Sequence, residues 1–139
     1  MRALAIDFGS KNIGIAVSDA LGITVRPLET LRRSALHKDL ERLKFLIADL
    51  EVEAVVVGLP LSMDGTMGDA AEHTLRFIER LSAKIDVPII TQDERFTSYE
   101  AEQIMMERGL NRAQRRQHSD AVAATIILQD YLLSLTTNY

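Results

Sequence analysis

The first eighteen residues constrain this chain most. Ala3, Leu4, Ala5 and Ile6 form an apolar run that closes on the carboxylate of Asp7, and Gly9-Ser10-Lys11 follows directly. Such a run reads as a strand covered on both faces, so Asp7 lies near a sheet core, where an unpaired carboxylate is costly. After the glycine turn, Ile13, Ile15 and Val17 alternate with Gly14, Ala16 and Ser18, which is the period of a second strand. The two strands make a hairpin with an acid beside its turn, and a metal ion would relieve the cost of that acid.

The remaining elements follow from periodicity. A third strand is expected from Ile23 to Leu31, on a sheet edge because Pro27 has no N–H to give to a neighbour. Ser34 is placed to cap a helix in which Leu36, Leu40, Leu43, Ile47 and Leu50 form one stripe. The β-branched run between Glu53 and Leu59 suits a central parallel strand, ended by Gly58-Leu59-Pro60. A second helix starts at Thr66 or Asp69 with Leu75, Ile78, Leu81 and Ile85 inward. Pro88 to Thr91 opens a fifth strand ending in Asp93-Glu94-Arg95. Ser98 caps a shorter helix to about Glu107, and Ser119 caps the last, which runs to about Leu135. Met63, Met67, Met105 and Met106 are expected to fill gaps.

Three strands in an antiparallel meander, followed by strands reached through right-handed crossovers, give an α/β fold with a five-stranded mixed sheet. Its order is 3-2-1-4-5 with helices on both faces, the ribonuclease H-like arrangement. The 139 residues suit one such domain, 1–139. No run approaches a bilayer span. Strand-like sequence begins within five residues of Met1, too soon for a secretory leader, so a cytoplasmic location without membrane association is expected.

With no cysteine, thiolate metal sites and thiol nucleophiles are excluded. Oxygen chemistry remains. Asp7 ends the central strand, Asp93 and Glu94 end the fifth, and Asp120 is expected in the first turn of the final helix, so three distant carboxylates can converge on one sheet edge. That donor set suits Mg²⁺ or Mn²⁺, and such ions activate water and stabilise a leaving oxygen in phosphodiester cleavage. Each acid also has a plainer reading: Asp7 accepting bonds from its turn, Asp120 favouring a helix N-terminus, and Asp93-Glu94-Arg95 forming a local ion pair.

The net charge of -4 is unlike a general nucleic-acid binder, but the cations are clustered. Arg108, Arg112, Arg115 and Arg116 stand together without an acid, followed by His118, and Arg26, Arg32, Arg33, His37 and Lys38 form a smaller group. They read either as phosphate contacts or as solvated loop. Aromatic residues are 5% with no Trp, which favours backbone or shape contacts over base stacking.

Four segments together carry a family resemblance. They are Asp7 to Asp19, Gly58-Leu59-Pro60 with Asp64-Gly65-Thr66, Asp93 to Ser98, and Asp120 with Ala123 to Gln129. In this order they are similar to the motifs of the YqgF family, also called RuvX, over nearly the whole chain. The resemblance implies a fold related to the RuvC resolvase and a divalent-metal nuclease with Asp7, Glu94 and Asp120 as catalytic, metal-binding carboxylates. It further implies 5′-end processing of pre-16S rRNA, with Holliday-junction cleavage as the alternative. Phe96 and Ser98 replace the Leu and Thr common in relatives, and Gln117, His118 and Ser119 replace a more basic run.

Lys11, Arg95, Arg112, Arg115 and Arg116 are the candidate substrate contacts, and the loop from Gly58 to Thr66 could offer backbone N–H groups to a phosphate. The partner is then structured RNA or branched DNA, bound by a monomer or a homodimer. Two other classes compete: a phosphotransferase of the actin and sugar-kinase type, which needs a second such domain, and a non-catalytic nucleic-acid-binding module.

Overall fold

A computed structural model describes residues 1–94 and 103–136, with the side chains of 115–119 and 136 outside the description. Its strands are β1 (Ala3–Phe8), β2 (Asn12–Ser18), β3 (Val25–Pro27), β4 (Leu31–Arg32), β5 (Ala54–Leu59) and β6 (Ile89–Asp93). The helices are α1 (Leu36–Asp49), α2 (Asp69–Ser82), α3, described over 103–107, and α4 (Arg112–Thr136). The sheet order is β3-β2-β1-β5-β6, with β4 also paired to β2. β1 is antiparallel to β2 and parallel to β5, and β5 is parallel to β6. This is the expected mixed sheet.

One expected strand is two. The stretch Ile23 to Leu31 pairs with β2 first through Val25–Pro27 and again through Leu31–Arg32. Pro27 sits on the sheet edge opposite Ala16, and the Leu28 N–H bonds Ile15 O at 2.8 Å where the ladder breaks.

β1 explains the two layers. Leu4 and Ile6 face one side, where they pack with Ile13, Ile15, Val55 and Val57 against Leu40, Leu43 and Ile47 of α1 and Phe77 and Leu81 of α2. Ala3 and Ala5 face the other side, where with Ala16 and Val56 they meet Ala124, Ile127 and Leu128 of α4. Large residues hold a helix away from a sheet and small ones admit it. α4 therefore lies close on the second face, the face to which strand alternation also turns Asp7.

Several helix details differ from expectation. Ser34 does not cap α1 through its side chain; its N–H and Oγ instead donate to Asp39, at 3.1 and 2.8 Å, which satisfies this buried carboxylate. The buried face of α2 is Ala71, Thr74, Phe77 and Leu81, with Leu75 and Ile78 only partly covered. Ser119 is no cap, because α4 begins at Arg112, and Asp120 consequently lies two turns inside the helix rather than in its first turn. The N-terminus of α4 is closed by Asn111 and Gln114, each accepting the other's backbone N–H at 2.9 Å. Met105 is buried as expected, but Met63, Met67 and Met106 are exposed. The Ser98 cap lies outside the described residues.

Candidate active site

Asp7 lies between two glycines. It pairs across the hairpin with Gly14, and the parallel register of β1 on β5, which reaches Ile6 opposite Val57, brings Gly58 to its other side. Each glycine makes room for another acid. A Cβ on Gly14 would run into the backbone carbonyl of Asp120 and come within 3.0 Å of its Cβ, so α4 rests directly on β2 at that point. A Cβ on Gly58 would lie 2.6 Å from Glu94 Oε2 and 2.5 Å from Ile127 Cδ1. Glu94 is led there from the end of β6, its N–H bonding Leu59 O at 3.1 Å. The three carboxylates thus meet over the places where the sheet has no side chain.

Electrostatics carry the mark of that convergence. Burial raises the Asp7 pKa to about 6, helped by the charge of Asp120 and opposed by a hydrogen bond with Glu94. Glu94 is raised to about 8, first by burial and then by the charge of Asp7, its hydrogen bond with Asp7 and the charge of Asp93. Burial also raises Asp120, while a hydrogen bond from the Asn12 side chain lowers it. Like charges held in a dry site retain a proton between them, or take up a cation.

The donor set fits a hard divalent ion, being carboxylate oxygen throughout. The acids are gathered without being closed on one point: among the described residues no three His, Cys, Asp or Glu side chains stand ready to hold an ion together. The Asp7 and Glu94 carboxyls act on each other, and the Asn12 side chain acts on Asp120.

Of Asp93 and Glu94, the sequence left the inward residue open; Glu94 is half-buried against Asp7 and Asp93 is exposed. Lys11 is exposed in the β1–β2 turn, at the same edge as Asp7. Arg112 is exposed at the start of α4, about 12 Å along the helix from Asp120 at 1.5 Å per residue, so it does not join the carboxylates. Arg95 and the side chains of Arg115, Arg116 and His118 lie outside the described residues. The loop after β5 folds on itself: Gly65 N–H bonds Ser62 O at 2.8 Å and Thr66 N–H bonds Asp64 Oδ1 at 3.0 Å, so these donors turn the chain. Asn12 went unnoticed in the sequence, although its position beside the first acid's turn marked it as a partner for an incoming carboxylate.

The sheet order, with α4 across the face that carries Asp7, defines a ribonuclease H-like fold. Fowlpox virus resolvase solved with Holliday junction DNA superposes with a TM-score of 0.61 at 12% identity, covering 97% of this chain and 99% of that one. Thermus thermophilus RuvC, solved with a Holliday junction substrate, gives 0.59 at 17% identity over 99% and 96%. These likenesses show the fold.

Residues 1–134 match the RuvX family model, described as Holliday junction resolvase, and the chain belongs to that family of phosphodiester-hydrolysing nucleases. A Desulforamulus reducens relative with the provisional name of pre-16S rRNA nuclease is 43% identical over 95% of this chain and 96% of its own length. A Clostridium acetobutylicum protein with the same provisional name is 45% identical over 97% and 100%.

Proposed function

We propose that this chain is a divalent-metal-dependent nuclease that trims the 5′ end of pre-16S rRNA in the cytoplasm, with Asp7, Glu94 and Asp120 as its metal-binding, catalytic carboxylates. The observation that carries the proposal is the meeting of those three acids over Gly14 and Gly58. The RNA substrate is supported by the names of relatives that align over nearly their whole length.

Asp7 and Glu94 would hold Mg²⁺ or Mn²⁺ jointly with Asp120, and Asn12 would fix the orientation of Asp120 by its hydrogen bond. When bound, a divalent ion supplies a water of lowered pKa and stabilises negative charge on the leaving oxygen. The protein excludes bulk water from the buried edge of Asp7 and brings the carboxylates together from β1, the end of β6 and α4. Lys11, Arg95, Arg112, Arg115 and Arg116 would hold backbone phosphates on either side of the scissile bond.

A four-way DNA junction is the second substrate, supported by the description of the family. Wild type and Asp7→Asn are compared on a pre-16S leader and on a four-way junction with Mg²⁺ or Mn²⁺, alongside sedimentation of the free protein. Cleavage of the leader by wild type, reduced at least about 100-fold in Asp7→Asn, supports the proposal. Paired incisions in the junction by a homodimer, with the leader left intact, would replace it with the resolvase reading. Binding without cleavage of either would leave a non-catalytic module.

A further inference from the structure

On the opposite face of the sheet from Asp7 there is a cavity of about 510 Å³ that the carboxylate site does not use. Its floor is the stacked pair Phe8 and Phe77, with ring centroids 4.1 Å apart and planes 11° from parallel. Its walls are Arg33, His73, Arg76 and Arg80, with Glu79 as the single acid among the lining residues. Helical spacing accounts for the cluster: positions 73, 76, 77 and 80 fall on one face of α2, so Phe77 is drawn into the core while its neighbours border the opening. Among the described residues Arg76 and Arg80 have no acidic partner; the ion pair found there is Lys84 with Glu41, at 3.5 Å. Three guanidinium groups against a single carboxylate, on a protein of net charge -4, form a site for an anion.

The position of Arg33 ties this cavity to the carboxylates. Its guanidinium lies 4.3 Å over the Phe8 ring and donates to Gly9 O at 3.1 Å and Ser10 O at 3.3 Å. Across the same turn, a Cβ on Gly9 would stand 3.7 Å from Asp120 Oδ1. The Gly9-Ser10-Lys11 turn is therefore a ridge with Asp120 on one side and Arg33 of the arginine cavity on the other. Both faces of the Phe8 ring are covered, by Phe77 and by Arg33, so no base can stack there. Phosphate is what the cavity can recognise.

We infer that Arg33, His73, Arg76 and Arg80 form a second phosphate-binding site that holds the backbone of the RNA strand after it crosses the Gly9-Ser10-Lys11 ridge from the carboxylates. The inference rests on the proposed nuclease function and extends its substrate track to the far face of the sheet. Arg33 also fastens the ridge, so Arg76 and Arg80, both exposed, are the residues to test.

Binding of a pre-16S leader RNA is measured in metal-free buffer as a function of salt, with the full chain carrying Asp7→Asn so that cleavage plays no part. Adding Arg76→Ala and Arg80→Ala is expected to weaken binding about 10- to 100-fold and to reduce the slope of log K against log salt by about 1.4 to 1.8, two phosphate contacts' worth. Arg76→Lys with Arg80→Lys should retain most of the slope, since charge is kept. Arg42→Ala with Lys44→Ala, an equal loss of charge on α1, should change affinity less than about 2-fold. An unchanged slope in the double alanine variant, or an equal loss in the α1 control, overturns the inference. Calorimetry with ADP separates a free nucleotide from a strand: micromolar binding that depends on Arg76 and Arg80 while RNA affinity does not would also overturn it. Failure of the nuclease proposal would appear separately, as wild type that binds RNA with the expected slope yet cleaves nothing.

Discussion

Replacing Asp7 by Asn should make the metal-free protein more stable while abolishing its activity. Burial and the neighbouring acids raise Asp7 from 3.8 to about 6 and Glu94 from 4.5 to about 8. A folded-state pKa raised above the unfolded value means that the folded protein holds protons the unfolded chain has released. Stability from this source is fully present below about pH 4 and is lost as pH rises through the folded values, toward about pH 8. Each tenfold change in proton affinity is worth about 1.4 kcal/mol. Shifts of this size discounted for the water that still reaches these half-buried groups leave about 1 to 3 kcal/mol for Asp7→Asn to recover at pH 8. Asn keeps the shape and can still hydrogen-bond Glu94, so packing changes little. Urea denaturation in EDTA, repeated from pH 4 to pH 8, measures the effect: the wild type should weaken across this range and the variant should stay flatter, the curves meeting near pH 4. A variant less stable than wild type at pH 8, or a wild type indifferent to pH, would contradict raised carboxyl pKa values at this site.

Gly14→Ala presses a methyl group onto the backbone of Asp120, which cannot swing aside, so it should cost about 2 kcal/mol or more and lower the denaturation midpoint together with activity. Gly58→Ala meets the flexible ends of Glu94 and Ile127; its stability cost should stay below about 1.5 kcal/mol while cleavage falls at least 10-fold, because Glu94 is moved. Asn111→Ala removes one half of the reciprocal cap of α4 and should cost about 1 kcal/mol in chemical denaturation, with the cleavage rate little changed. Saturating Mn²⁺ should raise the melting temperature of wild type more at pH 8 than at pH 5, since the carboxylates it needs are then ionised, and should do little for Asp7→Asn.

The sheet could be read from the sequence because its strands carry their own period. The alternation of Gly14, Ala16 and Ser18 with Ile13, Ile15 and Val17 gave the hairpin. The break between β3 and β4 was hidden, since Leu28, Glu29 and Thr30 include no glycine or proline to mark it. The early start of α4 was missed for a physical reason: from Arg112 to Ser119 the chain has Ala113 and no larger apolar residue, so nothing marks a buried face. Asn111 and Gln114 held the signal, a reciprocal cap at the correct spacing.

The acids of the site were visible as a desolvation problem at Asp7. Their meeting was less so, because it depends on two glycines that periodicity treats as neutral. The choice of Glu94 over Asp93 turned on which residue lies inward past the end of β6, and a one-residue error in that register would have exchanged them. The arginine cavity was not legible at all. Arg33 and Arg76 are forty-three positions apart, and only the folding of α2 over β1 brings both to the Phe8 ring.

The most direct measurement is a single-turnover cleavage assay on the pre-16S leader with Mn²⁺, using wild type, Asp7→Asn, Glu94→Gln, Asp120→Asn and the triple variant that combines them, at matched, saturating protein. If the three carboxylates act as one site, wild type cleaves, each single variant loses at least about 100-fold in rate, and the triple variant is scarcely worse than any single one. Independent, multiplying losses, or a Glu94→Gln variant that cleaves like wild type, would contradict a shared carboxylate centre.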